Sequence, residues 1–357
     1  MIIKAGIPIQ KISCNIEKKI PSLMKDYNIP GLSLVIIKNS KILLNFEFGV
    51  KNKITQEPIT LSTVFEAASL SKTIIAYVAL QMCKAKVLNL DRPLRAYLSK
   101  PYHNDPSNLS IVTLRHILSH TAGFPTSNLK IDETLKLEFL PGTHFNYSGE
   151  SFQYLGFVIE QISGVPLAKY IEDTVFNPLG MTDSSFIWKN SYNVQSATPH
   201  NQQGVPVTKW KPKKAVASFS LHTTSIDFSK FLIAVIQESK HNIDQEIPHM
   251  LDISIHINKN IAWGLGWGIE KTVDRDLFWH SGDNGGFQCI ALGCLAQEFG
   301  FVLMTNSTNG HKLYSKIFDL LLGGVHPLIT WEEFDSNELI EENQENYLSN
   351  WWKFYDI

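Results

Sequence analysis

Strand-like and helix-like patterns are not mixed evenly along this chain, and that distribution constrains its fold most. Residues 32–38 and 41–48 read as two strands around Asn39-Ser40, a hairpin, and residues 63–67 as a short strand. The strand pattern returns only near residue 261, where 263–270, 277–280, 286–295 and 300–306 read as consecutive strands. Helical spacing predicts helices over 12–27, 69–84, 150–163 (stopped by Gly164), 167–175, 225–238 (capped by Ser225 or Thr224) and 310–322. The economical arrangement is an α/β (α+β) fold: one antiparallel sheet built from both ends of the chain, flanked by the first and last helices, with a mainly helical lobe inserted. On this reading 1–68 and 261–325 form the sheet lobe, 69–260 the helical lobe, and 326–357 an acidic, aromatic extension. A cleft between two lobes is a usual place for chemistry.

Composition narrows the function. With 357 residues, 44% hydrophobic against 18% charged, the chain can bury a core large enough for two lobes. The net charge of −2 comes without any Lys/Arg block, so nucleic acid is not an expected partner. The opening residues lack the apolar run of a secretory signal, and the longest apolar runs, 32–37 and 299–304, are strand-sized. Neither approaches the ~20 residues that a spanning helix needs. A chain complete as given is therefore expected in the cytoplasm without a membrane span. Cys14, Cys83, Cys289 and Cys294 form no metal or disulfide framework. Cys289 and Cys294, five apart in one strand, would point to opposite faces, so free thiols are expected.

Three segments carry chemistry. In Phe65-Glu66-Ala67-Ala68-Ser69-Leu70-Ser71-Lys72, a serine opens a helix and a lysine follows three residues later, on the same face. A serine hydroxyl needs a base to become a nucleophile. A lysine serves only if burial or the positive end of a helix lowers its pKa. Ser71, adjacent to Lys72, points elsewhere, so Ser69 is the nucleophile expected. The second segment, Asn146-Tyr147-Ser148-Gly149, places a phenol just before a helix, where it could relay a proton. The third, His280-Ser281-Gly282-Asp283-Asn284-Gly285-Gly286, lies between strands. Its glycines would let a substrate backbone approach, and His280 could offer a hydrogen bond or a positive charge. Each alone is equally a cap, a packed aromatic or a turn.

Together they resemble the serine β-lactamase-related family, which includes class C β-lactamases, DD-peptidases and their esterase and aminopeptidase relatives. Ser69-Leu70-Ser71-Lys72 matches its first motif. Tyr147-Ser148-Gly149 looks like its Tyr-x-Asn motif with Gly for Asn, and His280-Ser281-Gly282 like its Lys/His-x-Gly motif. Leu118-Ser119-His120-Thr121-Ala122-Gly123 and Pro178-Leu179-Gly180-Met181 are similar to further family segments, and the order holds over roughly 16–322. The resemblance implies a β-lactamase/transpeptidase-like fold and an acyl-enzyme on Ser69. It implies proton transfer through Lys72 and Tyr147, with His280 beside them. It implies an oxyanion hole from the backbone N–H groups of Ser69 and, by position, Asp283. Gly149, Ser281 and Gly282 would face a small-molecule or peptide-like acyl substrate, and neither metal nor cofactor is expected. Gly149 removes an amide, and His280 is only a conditional cation where lactamases often carry lysine. These departures favour an esterase, an unusual peptidase or an acyltransferase over an efficient β-lactamase or DD-peptidase; a non-catalytic scaffold is the rival from another class.

Other signals weigh less. His116 and His120 share a helical spacing, but Ile117 breaks the zinc-protease pattern, so structural roles are expected. Trp263-Gly264-Leu265-Gly266-Trp267-Gly268 is not followed by a helix and reads as close strand packing. Glu150 is explained by its place in the first turn of a helix. The extension would pack on the sheet lobe or form a homo-oligomer contact.

Overall fold

The computed structural model describes residues 8–102, 107–126, 135–241, 249–272 and 276–331. The extension beyond Trp331, with its proposed subunit contact, lies outside the described residues.

The chain opens with α1 (Ile9–Asp26), whose Ile12, Ile16, Ile20 and Met24 recur every fourth residue and are all buried. One stripe of a helix is therefore apolar, and it must cover something. It covers a sheet. β1 (Gly31–Lys38) and β2 (Lys41–Gly49) form the expected hairpin, with Asn39 and Ser40 both at positive φ in the two-residue turn. The remaining strands of this sheet come late in the chain: β5 (Ile255–His256), β6 (Ile261–Trp263), β7 (Gly268–Lys271), β8 (Asp276–Asp283), β9 (Gln288–Cys294) and β10 (Phe299–Thr305). Among the described residues the order is β2-β1-β10-β9-β8-β7-β6-β5, and every pairing is antiparallel. Leu34 opposes Leu303 where the N-terminal hairpin meets the C-terminal strands. The sheet is built from both ends of the chain, as the pattern predicted.

The central strands are apolar on both faces because both faces are covered. Leu32, Leu34, Ile36, Leu292, Phe301 and Leu303 pack with α1 and with α9 (Tyr314–Leu321). The opposite face, including Ala291, Val302 and Met304, packs with Phe228, Phe231, Leu232 and Ile236 of the helix 225–241 described below. Each such aliphatic side chain contributes roughly 2 kcal/mol on burial. Cys289 and Cys294 fall in the clusters on opposite faces, and both are free thiols.

Several elements differ from the sequence reading, three of them near the site. The segment 263–270 is not one strand: Gly264–Trp267 turn the chain between β6 and β7, with Gly264 N–H donating to Trp267 O at 2.8 Å. Gly266, at φ 105, packs so tightly that a Cβ would stand 2.5 Å from Ala76 Cβ. The strand expected at 63–67 is β3 (Phe65–Ala68), but it does not join the main sheet. It pairs with β4 (Leu221–Thr223), which periodicity is too short to reveal. The helix α2 (Ser71–Lys84) starts two residues later than expected, leaving Ser69 in the turn before it.

Between β3 and β5 lie α2, α3 (Leu114–Leu118), α4 (Gly149–Ser163), α5 (Leu167–Ile171), α6 (Asn177–Leu179), α7 (Tyr192–Gln195) and α8 (Ser225–His241). Gly164 ends α4 in a left-handed conformation. Thr224 Oγ1 accepts from Asp227 N–H at 3.0 Å, so Thr224 is the cap of α8. α8 packs on the sheet rather than with a separate helical body, touching β1, β9 and β10. No described helix is long and apolar enough to cross a membrane.

Glu270 on β7 ties down the end of the described chain. Its carboxylate meets His326 Nδ1 at 2.9 Å and accepts from Leu328 N–H at 2.9 Å, fully buried. Glu270→Ala leaves both groups buried without a partner. It should lower unfolding free energy by about 3 kcal/mol, read as an earlier urea midpoint with an unchanged slope.

Candidate active site

Ser69 sits where β3 turns into α2. Ala68, just before it, has φ 48, a left-handed backbone that a non-glycine residue adopts at a cost. Leu70 N–H donates to Ala67 O at 3.1 Å and Lys72 N–H to Ser69 O at 3.0 Å, so the turn is closed by its own backbone. Ser71 turns away: its Oγ donates to Ala68 O at 2.6 Å and accepts from Leu221 N–H at 2.9 Å, locking β4 to the helix start. Ser69 is half-buried.

Lys72 reaches back over one turn. Its Nζ lies 2.9 Å from Ser69 Oγ and donates to Ser218 O at 2.9 Å. The side chain is only 2% exposed, and burial pushes its pKa down to about 7. A neutral amine in this position has one N–H for the Ser218 carbonyl and a lone pair for the serine hydroxyl. Ser218 is itself held, its N–H donating to Gln153 Oε1 at 3.1 Å. Gln153 lies one turn beyond Gly149 on α4, so an amide approaches the lysine's acceptor from the helix on which Gly149 supplies none.

The loop before α4 brings in Tyr147. Lys72 Nζ stands 4.9 Å from its ring centroid, and the His280 ring 6.1 Å away. Ser148 caps α4, its Oγ accepting from Ser151 N–H at 3.3 Å, and Gly149 is the first helical residue. Glu150, set aside in the sequence reading, points into the core and accepts from Tyr102 OH.

β8 supplies the third segment. His280 is 2% exposed, and its Nδ1 lies 2.7 Å from Ser281 O. A carbonyl only accepts, so Nδ1 carries the proton and Nε2 presents a lone pair; Nε2 has no hydrogen bond among the described residues. Burial first, and Lys72 second, hold the imidazole down to about pKa 3. Burial thus disfavours the charged form of His280, which the sequence reading took as a conditional cation, and leaves Nε2 as the acceptor. Gly282 also has a different reason. A Cβ there would stand 2.3 Å from Ala67 O, so the glycine admits the chain's own backbone, two residues before Ser69. Ser281 is half-buried, and Asp283 ends the strand opposite Gln288, its carboxylate accepting from Gly285 N–H at 2.6 Å.

Besides Ser218 and Gln153, two further residues escaped the sequence reading as members of the site. Glu66 is buried three positions before Ser69, accepts from Asn284 Nδ2 at 3.0 Å, and is pushed up to about pKa 7 by burial. It ties the strand before the nucleophile to the loop after β8. His120 stacks on Tyr147 with ring centroids 4.3 Å apart. Its place in a family-like segment was the available signal, but it was read only as structural. His116 closes a capping box at the start of α3 with Thr113. Among the described residues no group of three or more His, Cys, Asp or Glu could hold a metal ion.

Comparison with known proteins agrees with the fold. The model of the family described as Beta-lactamase matches residues 16–323. Protein flp of Staphylococcus aureus (strain N315) is 24% identical over 343 residues, covering 86% of this chain and 68% of that protein. Among solved structures, a beta-lactamase/D-alanine carboxypeptidase from Pseudomonas syringae superposes with a TM-score of 0.76 at 19% identity, covering 87% of this chain and 98% of that one. An octameric penicillin-binding protein homologue from Pyrococcus abyssi gives 0.75 at 23% identity, covering 92% and 81%.

The depressed Lys72 amine carries a pH signature. If Lys72 is the base for Ser69, it must be neutral to act, so kcat/KM should rise with pH through about 7 and level off above it. Lys72→Arg, always protonated, should lose on the order of 100-fold or more. Stability should respond with its own sign. The cost of burying the ammonium is fully present below pH 7 and fades as pH rises toward 10.5. Lys72→Met should therefore exceed the native chain in unfolding free energy most below pH 7, by a margin that shrinks in alkali.

Proposed function

This chain belongs to the beta-lactamase family, and we propose that it is a serine hydrolase cleaving an ester or amide bond through an acyl-enzyme on Ser69. The observation that carries the reading is the 2.9 Å contact between Ser69 Oγ and an amine whose pKa is pushed down to about 7. Neutral Lys72 takes the hydroxyl proton as Oγ attacks the carbonyl carbon. The resulting oxyanion is met by the backbone N–H groups of Ser69 and Asp283; preorganised donors of this kind contribute ~3 kcal/mol each. The proton passes by way of Lys72 and Tyr147 to the leaving group, whose departure leaves Ser69 acylated. Water, taking the leaving group's place, completes hydrolysis. His280 lies beside Tyr147, ring centroids 6.1 Å apart, and being held toward the neutral form adds no charge that would oppose the relay.

The substrate reading follows from what the cleft lacks. Gly149 offers no amide to a substrate's peptide-like arm, and neutral His280 offers no cation to a carboxylate. Ester and uncharged amide substrates fit better than penicillins. A D-alanine carboxypeptidase or β-lactamase activity is the second reading, favoured by the fold shared with the Pseudomonas syringae enzyme. Transfer of the acyl group to a small-molecule acceptor would show as partitioning when competing alcohols or amines are added.

Intact mass after exposure to a fluorophosphonate tests the reading directly. One adduct should form on the native chain and none on Ser69→Ala. Activated aryl esters should then be hydrolysed with a burst close to one equivalent, ahead of D-alanyl peptides and penicillins. A well-folded native chain that takes up no adduct would return the protein to the scaffold reading.

A further inference from the structure

Tyr147 can relay a proton only if its phenol is held near Ser69 and Lys72, and a loop tyrosine is not held by its own position in sequence. The two backbone groups flanking it are both bound by one distant residue. Asn146 N–H donates to His120 O at 2.8 Å, and Ser148 N–H donates to His120 Nδ1 at 3.1 Å. The imidazole then stacks on the Tyr147 ring, 4.3 Å between centroids at 28°. We propose that His120 is the positioning residue of this site, fixing Tyr147 from both sides of the chain and across its ring face. The proposal rests on the reading of Tyr147 as proton relay and adds the residue through which that relay is aligned.

The chain commits several features to this contact. His120 is 1% exposed and has φ 54, in the left-handed region that non-glycine residues seldom occupy. That backbone follows the end of α3, where His120 N–H donates to Ile117 O at 3.1 Å, and it aims carbonyl and ring at the same loop. Trp263, Phe152 and Phe145 enclose the ring at 5.2, 5.2 and 5.9 Å. Because a backbone N–H only donates, Nδ1 must be unprotonated, and the imidazole must stay neutral. Burial secures this, with Lys72 and His280 adding to it. A ring present for packing alone would need neither the acceptor nor the left-handed backbone.

Two substitutions separate the acceptor from the backbone. Asparagine and glycine both tolerate positive φ, but only asparagine places an oxygen where Nδ1 stands. With an aryl ester, His120→Gly should lower kcat on the order of 100-fold with little change in KM. His120→Asn should remain within about tenfold of native, since the Ser148 contact survives without the stacked ring. The decisive comparison uses Tyr147→Phe. If His120 acts through Tyr147, His120→Gly should cost little further in that background. An equal loss in both backgrounds, native kcat in His120→Gly, or no recovery in His120→Asn would each overturn the proposal, provided that thermal unfolding shows the variants folded. Native kcat in Tyr147→Phe alone would instead remove the relay reading beneath it.

Discussion

Burying a lysine amine is costly, and the site depends on a fold that tolerates the cost. The fall of the Lys72 pKa from 10.5 to about 7 corresponds to a penalty on the order of 5 kcal/mol against the charged form. Among the described residues no carboxylate pairs with it. Its neighbours are a hydroxyl, a carbonyl, an aromatic ring and two neutral imidazoles. A carboxylate in contact would restore the charge and remove the base. The neutrality of His120 and His280 is thus part of the same constraint, because dry surroundings that deprotonate the lysine also keep both imidazoles uncharged.

Backbone approach carries the second constraint. β8 comes so near the end of β3 that only glycine fits at 282, opposite Ala67 O. The Glu66–Asn284 hydrogen bond spans the same junction. The strand leading to Ser69 and the strand bearing His280 are therefore positioned against each other by packing that involves the side chains of none of Ser69, Lys72, Tyr147 and His280. Lys72, by contrast, is aligned from the helical side, through Ser218 and the Gln153 amide. Three elements far apart in sequence converge because each has its own structural anchor.

Aromatic packing completes the surroundings of these groups. Tyr147, Trp263 and Trp267 lie within 6.5 Å of the His280 ring centroid, and both tryptophans are fully buried. The amide of Gln153 enters from one turn farther along α4, where no three-residue motif would place it.

The sequence by itself determined the alternation of patterns that builds one sheet from both ends of the chain. It also determined the local pair Ser69 and Lys72, because a three-residue spacing on a helix start needs no distant partner to bring the groups together. The choice of Ser69 over Ser71 was legible for the same reason. Tertiary structure alone decided the rest. Periodicity could not show that β3 leaves the main sheet for the three-residue β4, nor that 263–270 folds back at Gly264 and Gly266, since both follow from what packs against them. Protonation was equally out of reach: His280 is neutral because of burial and its neighbours, and residue type says only that it could be charged. His120 and Glu66 were visible as letters, but their partners lie 28 and 218 residues away. Only chain folding brings such groups within hydrogen-bond distance, and that is the physical reason local pattern stops short of the site.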